Sequence, residues 1–245
     1  MPAAIRLADT RAAVAGYRAL GDKMGLYRAL CSLGRSPQSK VDQAEAGAAL
    51  AEAEALEDPR WSPRVRTRLQ LGLEWWHDIG GRLEDSAHAV RRCLALAREA
   101  GSVRSVIGAL GNLADTEFAL GRVDEAVALS REAIALAASS GLPTAAHHVY
   151  SNMVPALLAR DDLDAAHDAI REGRRLMVRI HGSARELLLP AALLAWRRGE
   201  LESAAMLLGC ADRAFRELGD EPHPPERRMR DAALAGLQAD LPTDT

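Results

Sequence analysis

The chain has 245 residues with a formal net charge of −3, so it offers neither a basic surface for nucleic acid nor a polybasic attraction to anionic lipid. Alanine, leucine, arginine and glutamate dominate while aromatic residues make up only 4%, a balance that points to an all-helical protein and away from sheet-rich classes. Nothing approaches the ~20 apolar residues of a membrane span, and residues 1–20 carry arginines and aspartate where a secretory signal would be apolar.

Cys31, Cys93 and Cys210 are odd in number and far apart, each in an alanine-rich helical context that suits a small apolar thiol. With them the reading is a cytoplasmic protein with reduced cysteines. The basic residues are arginine except for Lys23 and Lys40, a bias that fits a GC-rich genome better than a set of chosen guanidinium sites.

In chain order, residues 2–20 read as the second helix of a hairpin whose first helix is absent, and residues 1–22 as an incomplete leading element. The pattern predicts helix hairpins over 23–57, 62–99, 103–139, 143–180 and 184–218. Residues 220–245 form a C-terminal cap, with PHPPE (Pro222 to Glu226) as a rigid connector and a helix over 225–239 that opens on proline. The whole of 1–245 is expected to be a single solenoid. Its leading helix carries Ile5, Leu7, Val14 and Leu20, an apolar stripe that no earlier hairpin would cover, so self-association through residues 2–20 is a further expectation.

The punctuation behind these bounds is glycine. Gly81, Gly101, Gly121 and Gly141 recur at intervals of twenty, each suited to the left-handed turn that ends a helix. Two helices per hairpin make a period of about forty, and residues at that offset match in size and polarity. Leu110, Leu113, Gly121, Ala126 and Ala133 meet Tyr150, Met153, Asp161, Ala166 and Gly173, and going backwards they meet Gln70, Leu73, Gly81, Ser86 and Cys93. The last copy is two residues shorter and brings Leu188, Ala191, Gly199, Ala204 and Ala211 into the same slots. Small residues seven apart on the second helix predict close helix packing there.

These positions resemble the tetratricopeptide repeat family: Leu30, Leu33 and Gly34, and again Leu110, Leu113 and Ala114, fit its opening pattern, with glycine before the turn and alanine in the second helix. The resemblance implies an all-α, right-handed superhelix of antiparallel hairpins whose first helices line a concave face. The period of forty departs from the usual ~34 and implies longer helices. The closing segment from Glu200 to Leu237, with Leu207, Leu208, Gly209, Ala211, Asp212 and Gly219 in order, resembles the C-terminal repeat arm of bacterial STAND-class signalling ATPases, the LuxR-type and winged-helix transcriptional regulators. That likeness implies the sensor or protein-interaction arm of such a regulator, with neither its ATPase nor its DNA-binding part. A free-standing adaptor that brings proteins together is the other reading.

Catalytic motifs are missing from the sequence. There is no GxxxxGK[ST], GxSxG, HExxH or CxxC, so no catalytic residue, cofactor or metal site is assigned. The seven histidines are scattered, and adjacent His147 and His148 would point about 100° apart on a helix. Asp161, Asp162 and Asp164 imitate a calcium loop but run straight into a helical segment, which suits capping instead.

Alignment of the copies puts Trp75, Asn112 and Asn152 on the inner face of successive first helices, with Asp115, His148 and Ser151 close by, while Trp76 should pack between helices. An aromatic ring beside amides that both donate and accept hydrogen bonds suits an extended peptide, a protein partner or a small inducer. The alternative is a solvated groove with one packed tryptophan. Pro155 and Pro190 should bend the first helices that contain them.

Overall fold

A computed structural model describes residues 3–35, 42–180, 184–218 and 222–240, with side chains described at 7–35, 42–180, 186–217 and 222–240. Twelve α-helices and no strand occur among the described residues: α1 (Ala3–Leu20), α2 (Lys23–Gly34), α3 (Gln43–Leu56), α4 (Pro63–Ile79), α5 (Leu83–Glu99), α6 (Val103–Ala119), α7 (Val123–Ser139), α8 (His147–Ala159), α9 (Leu163–Arg179), α10 (Leu188–Arg197), α11 (Leu201–Leu218) and α12 (Pro224–Asp240). They pair as hairpins α2/α3, α4/α5, α6/α7, α8/α9 and α10/α11. The chain divides into two compact units, residues 1–102 with α1–α5 and residues 103–245 with α6–α12.

The glycines end the helices by their backbone geometry. Gly81, Gly101, Gly121 and Gly141 each stand two residues past a helix end with φ between 63° and 80°, a region that side chains with a Cβ enter at a cost. In the fourth hairpin the same slot is Asp161, with φ 60° and no glycine to relieve it. Asp162 then caps α9, its carboxylate accepting from the Ala165 amide at 3.1 Å, so the aspartates act at a helix start. The arginines after Gly81 and Gly121 also have a use at this corner. The Arg82 amide donates to the His77 carbonyl and its guanidinium to His77 Nδ1 at 3.0 Å; the Arg122 amide donates to the Glu117 carbonyl and its guanidinium to Glu117 Oε2 at 2.8 Å. Backbone and side chain thus close the same turn twice.

Packing follows the forty-residue register. The small slots Ser86, Ala126, Ala166 and Ala204 are all essentially sealed, as are Cys93, Ala133 and Ala211. At Gly173 an added Cβ would come within 3.1 Å of Leu187 and 3.3 Å of Tyr150, so the hairpins approach too closely for larger residues. Burial pushes the Cys31 and Cys93 thiols up to about 12, which leaves them protonated and inert, whereas Cys210 is exposed.

In the first unit, α1 packs on α2 and is tied to α3 by Arg11 to Glu45 and Arg18 to Glu52, each 2.7 Å. That is where a second helix would sit beside the next second helix. Its apolar stripe is better covered than the sequence suggests: Leu7 and Val14 are buried in the α2 and α3 core. Leu20 stays exposed and Tyr17 partly so, and the Ile5 side chain lies outside the described residues.

Two first helices in the second unit, α8 and α10, start irregularly. A 3-10 turn, Pro143–Ala146, leads into α8, and another, Ala184–Leu187, leads into α10. Pro155 is inside α8 as expected. Pro190 is not mid-helix: α10 starts at Leu188, so this proline occupies the first turn, where an amide has no intrahelical acceptor to lose.

Candidate functional site

The residues expected on the inner face fall in different units. Trp75 belongs to α4 in the first unit; Asn112, Asp115, His148, Ser151 and Asn152 belong to α6 and α8 in the second. Trp75 is partly exposed, but its indole Nε1 is buried, so its outward contribution is ring surface. Trp76 packs between helices as its register implies. Its Nε1 donates to the Gln43 carbonyl at 3.0 Å, and the Arg82 guanidinium lies 4.0 Å from its ring centre.

Asn112 and Asn152 occupy equivalent slots on α6 and α8, which pack side by side, and both are partly exposed. Their neighbours are already engaged. The buried Ser151 hydroxyl donates to the Glu186 carbonyl at 2.9 Å, holding α8 to the turn before α10. The buried Asp115 carboxylate accepts from the Arg228 guanidinium of α12, 113 residues away in sequence. His148 sits against Gly111: a Cβ there would approach its Nε2 to 3.0 Å and Val149 Cγ2 to 2.9 Å. Burial above all, and then the neighbouring His147, lowers the His148 pKa to about 4, leaving a neutral imidazole wedged between α6 and α8. The surface assigned to the inner face therefore carries two partly exposed asparagines, flanked by groups that fix helix spacing.

One turn further along the same helices lies a feature that the sequence reading passed over. A cavity of about 180 Å³ is lined by Asp115, Pro155 and Leu193, equivalent slots on α6, α8 and α10, and by Phe118, Leu158 and Trp196, the next set of equivalents. Helix α12 forms its remaining wall with Pro225, Arg228, Met229 and Ala232, and the pocket stays half open. The clue available in the sequence was the column itself, an apolar set at offsets of forty and thirty-eight on a face otherwise read as polar. Among the described residues no group of three or more histidine, cysteine or carboxylate side chains is placed to hold a metal ion, and no helix is long and apolar enough to cross a membrane.

No family model matches the chain, and no curated protein matches it. Solved structures do. BtubC (BKLC) from P. vanneervenii superposes with a TM-score of 0.67 at 18% identity, over 91% of this chain and 94% of that one. A Pyrococcus horikoshii STAND protein, a signal transduction ATPase with numerous domains and a tetratricopeptide repeat sensor, superposes with a TM-score of 0.60 at 12% identity, over 89% of this chain and 33% of that one. A putative kinesin light chain from Podosopora anserina with nearly identical TPR-like repeats gives 0.56 at 18% identity, over 78% and 95%. The chain has the tetratricopeptide-repeat-like fold. These repeats stack because each hairpin leaves an apolar face that only a neighbour can cover, which is what the sealed small-residue slots record.

Proposed function

We propose that this repeat module is noncatalytic and works by binding a protein or extended peptide on the inner face of its second unit, as the sensor or interaction arm of a bacterial signalling regulator. The supporting observation is the pair of partly exposed amides, Asn112 and Asn152, at equivalent slots on adjacent first helices. Amides repeated at the helix spacing can bracket successive peptide groups, since each supplies both a donor and an acceptor. The packed His148 and the engaged Ser151 and Asp115 hold that spacing fixed, which lowers the ordering cost of binding. The likeness to a STAND protein's repeat sensor supports the signalling role. On the first unit by itself, Trp75 offers a stacking surface, and Leu20 with Tyr17 a contact for self-association.

The second reading is a free-standing adaptor that brings proteins together; the same fold occurs in BtubC over most of that chain. An in-frame nucleotide-binding segment upstream of the coding sequence would decide for the signalling arm.

The test starts from a peptide selected against the full chain from a displayed library. Replacing both Asn112 and Asn152 with alanine is expected to weaken that peptide by about tenfold or more, at roughly 0.5 to 1.5 kcal/mol net per lost hydrogen bond, with the melting temperature held. Undiminished binding in the double variant, together with loss on substituting the exposed Arg131 of α7, would move the function to the outer surface.

A further inference from the structure

We propose that the cavity beneath α12 is a binding site for an uncharged, apolar molecule about the size of one aromatic ring, and that its occupant fastens α12 onto α6, α8 and α10. This goes beyond the peptide-binding reading and does not rest on it.

The argument begins with the walls. Phe118, Pro155, Leu158, Leu193, Trp196 and Met229 are among its walls, most of the lining is apolar, and about 180 Å³ is of the order that admits a benzene-sized guest. The pocket is half open, its rim reaching exposed Ala159 and Arg197, and it lies along two sets of equivalent slots on three first helices, with α12 as its remaining wall.

The polar groups present set the class of the guest. Asp115 is bound by Arg228, and Arg197 donates to the Leu158 carbonyl at 2.7 Å and to Asp161 Oδ1 at 2.9 Å. A carboxylate guest would compete with Asp115 for Arg228 and leave the nearly buried Asp115 poorly matched, and an ammonium guest would have to displace Arg228 from Asp115. A neutral ring disturbs neither pair. It also lies against Arg228, Met229 and Ala232 of α12 on one side and three first helices on the other, so filling the space adds contacts that hold α12 down. Elsewhere α12 is fixed by Met229, Ala233 and Leu237 in the core and by the Trp196 indole N–H donating to Asp240 at 2.7 Å.

The experiment titrates benzene and toluene into the whole 245-residue chain. Backbone amide shifts are followed by NMR and amide hydrogen exchange is compared between α12 and α11, with benzoate and benzylammonium as charged counterparts. Saturable shifts centred on Leu193, Trp196 and Met229 are expected with the neutral rings, with slower exchange in α12, while the charged rings bind at least about tenfold more weakly. Leu193→Phe, which fills the space, should abolish the shifts; Ala159→Leu serves where the first variant is poorly folded by circular dichroism. No saturable response to either neutral ring, equal binding of the charged rings, or shifts that survive the filled variants would each overturn the proposal. Because the rings are tested without any protein partner, failure here leaves the asparagine site standing, and failure of the asparagine variant leaves ring binding standing.

Discussion

His148 makes the interior of the second unit sensitive to acid. In the folded chain its pKa is lowered from 6.5 to about 4, mostly by burial between α6 and α8 and secondarily by His147. The unfolded chain should protonate near the ordinary value. Above about pH 6.5 both states carry a neutral ring and the folded state has its full stability. Between about 6.5 and 4 the unfolded state takes up a proton that the folded state refuses, so stability falls as pH falls, and below about 4 the loss is complete. At about 1.4 kcal/mol per pH unit the full interval amounts to about 3 kcal/mol. His148→Phe keeps a ring in the wedge but removes the titration, so urea midpoints at pH 7 and pH 4.5 should differ markedly less for the variant than for the parent. The imidazole Cε1 proton, followed by NMR, reports the pKa directly. A His148 that titrates near 6.5, or a variant that loses as much stability in acid as the parent, would refute the wedge.

Two other substitutions test the register. Ala126→Leu forces methylenes into a sealed slot and is expected to cost roughly 1 to 3 kcal/mol, whereas Arg131→Ala on the exposed side of α7 should stay within about 0.5 kcal/mol; equal effects in chemical denaturation would place the faces wrongly. Asp161→Gly removes a side chain from a left-handed turn at φ 60° and gives up only an exposed ion pair with Arg197. A gain of about 0.5 to 1 kcal/mol is expected after allowing for the looser unfolded chain, and a lower urea midpoint would show that the Arg197 pair outweighs the backbone strain.

The fold was legible because its cues are local. A glycine two residues past a helix end and an alanine seven from the next alanine each act within a turn or two, and the forty-residue recurrence multiplies the signal. Asp161 shows the tolerance of that code: the turn forms without its glycine because the preceding helix ends at Ala159 and Asp162 caps the next. Pro190 does lie in a first helix, but in its first turn, because the start of α10 is set by a 3-10 turn that a periodic pattern does not mark. The site was legible only in part. Asn112 and Asn152 stood out as matching polar slots, but the partners of their neighbours come from tertiary geometry. Glu186 receives Ser151 from the turn of the next hairpin, and Arg228 reaches Asp115 only because α12 folds back over three first helices. No spacing rule encodes a contact of that kind, since a long arginine on a terminal helix reads equally well as solvated. The same holds for the cavity. Phe118, Leu158 and Trp196 are ordinary apolar members of three amphipathic helices, and they become the wall of a site only where Pro155 and the incoming α12 leave space between them.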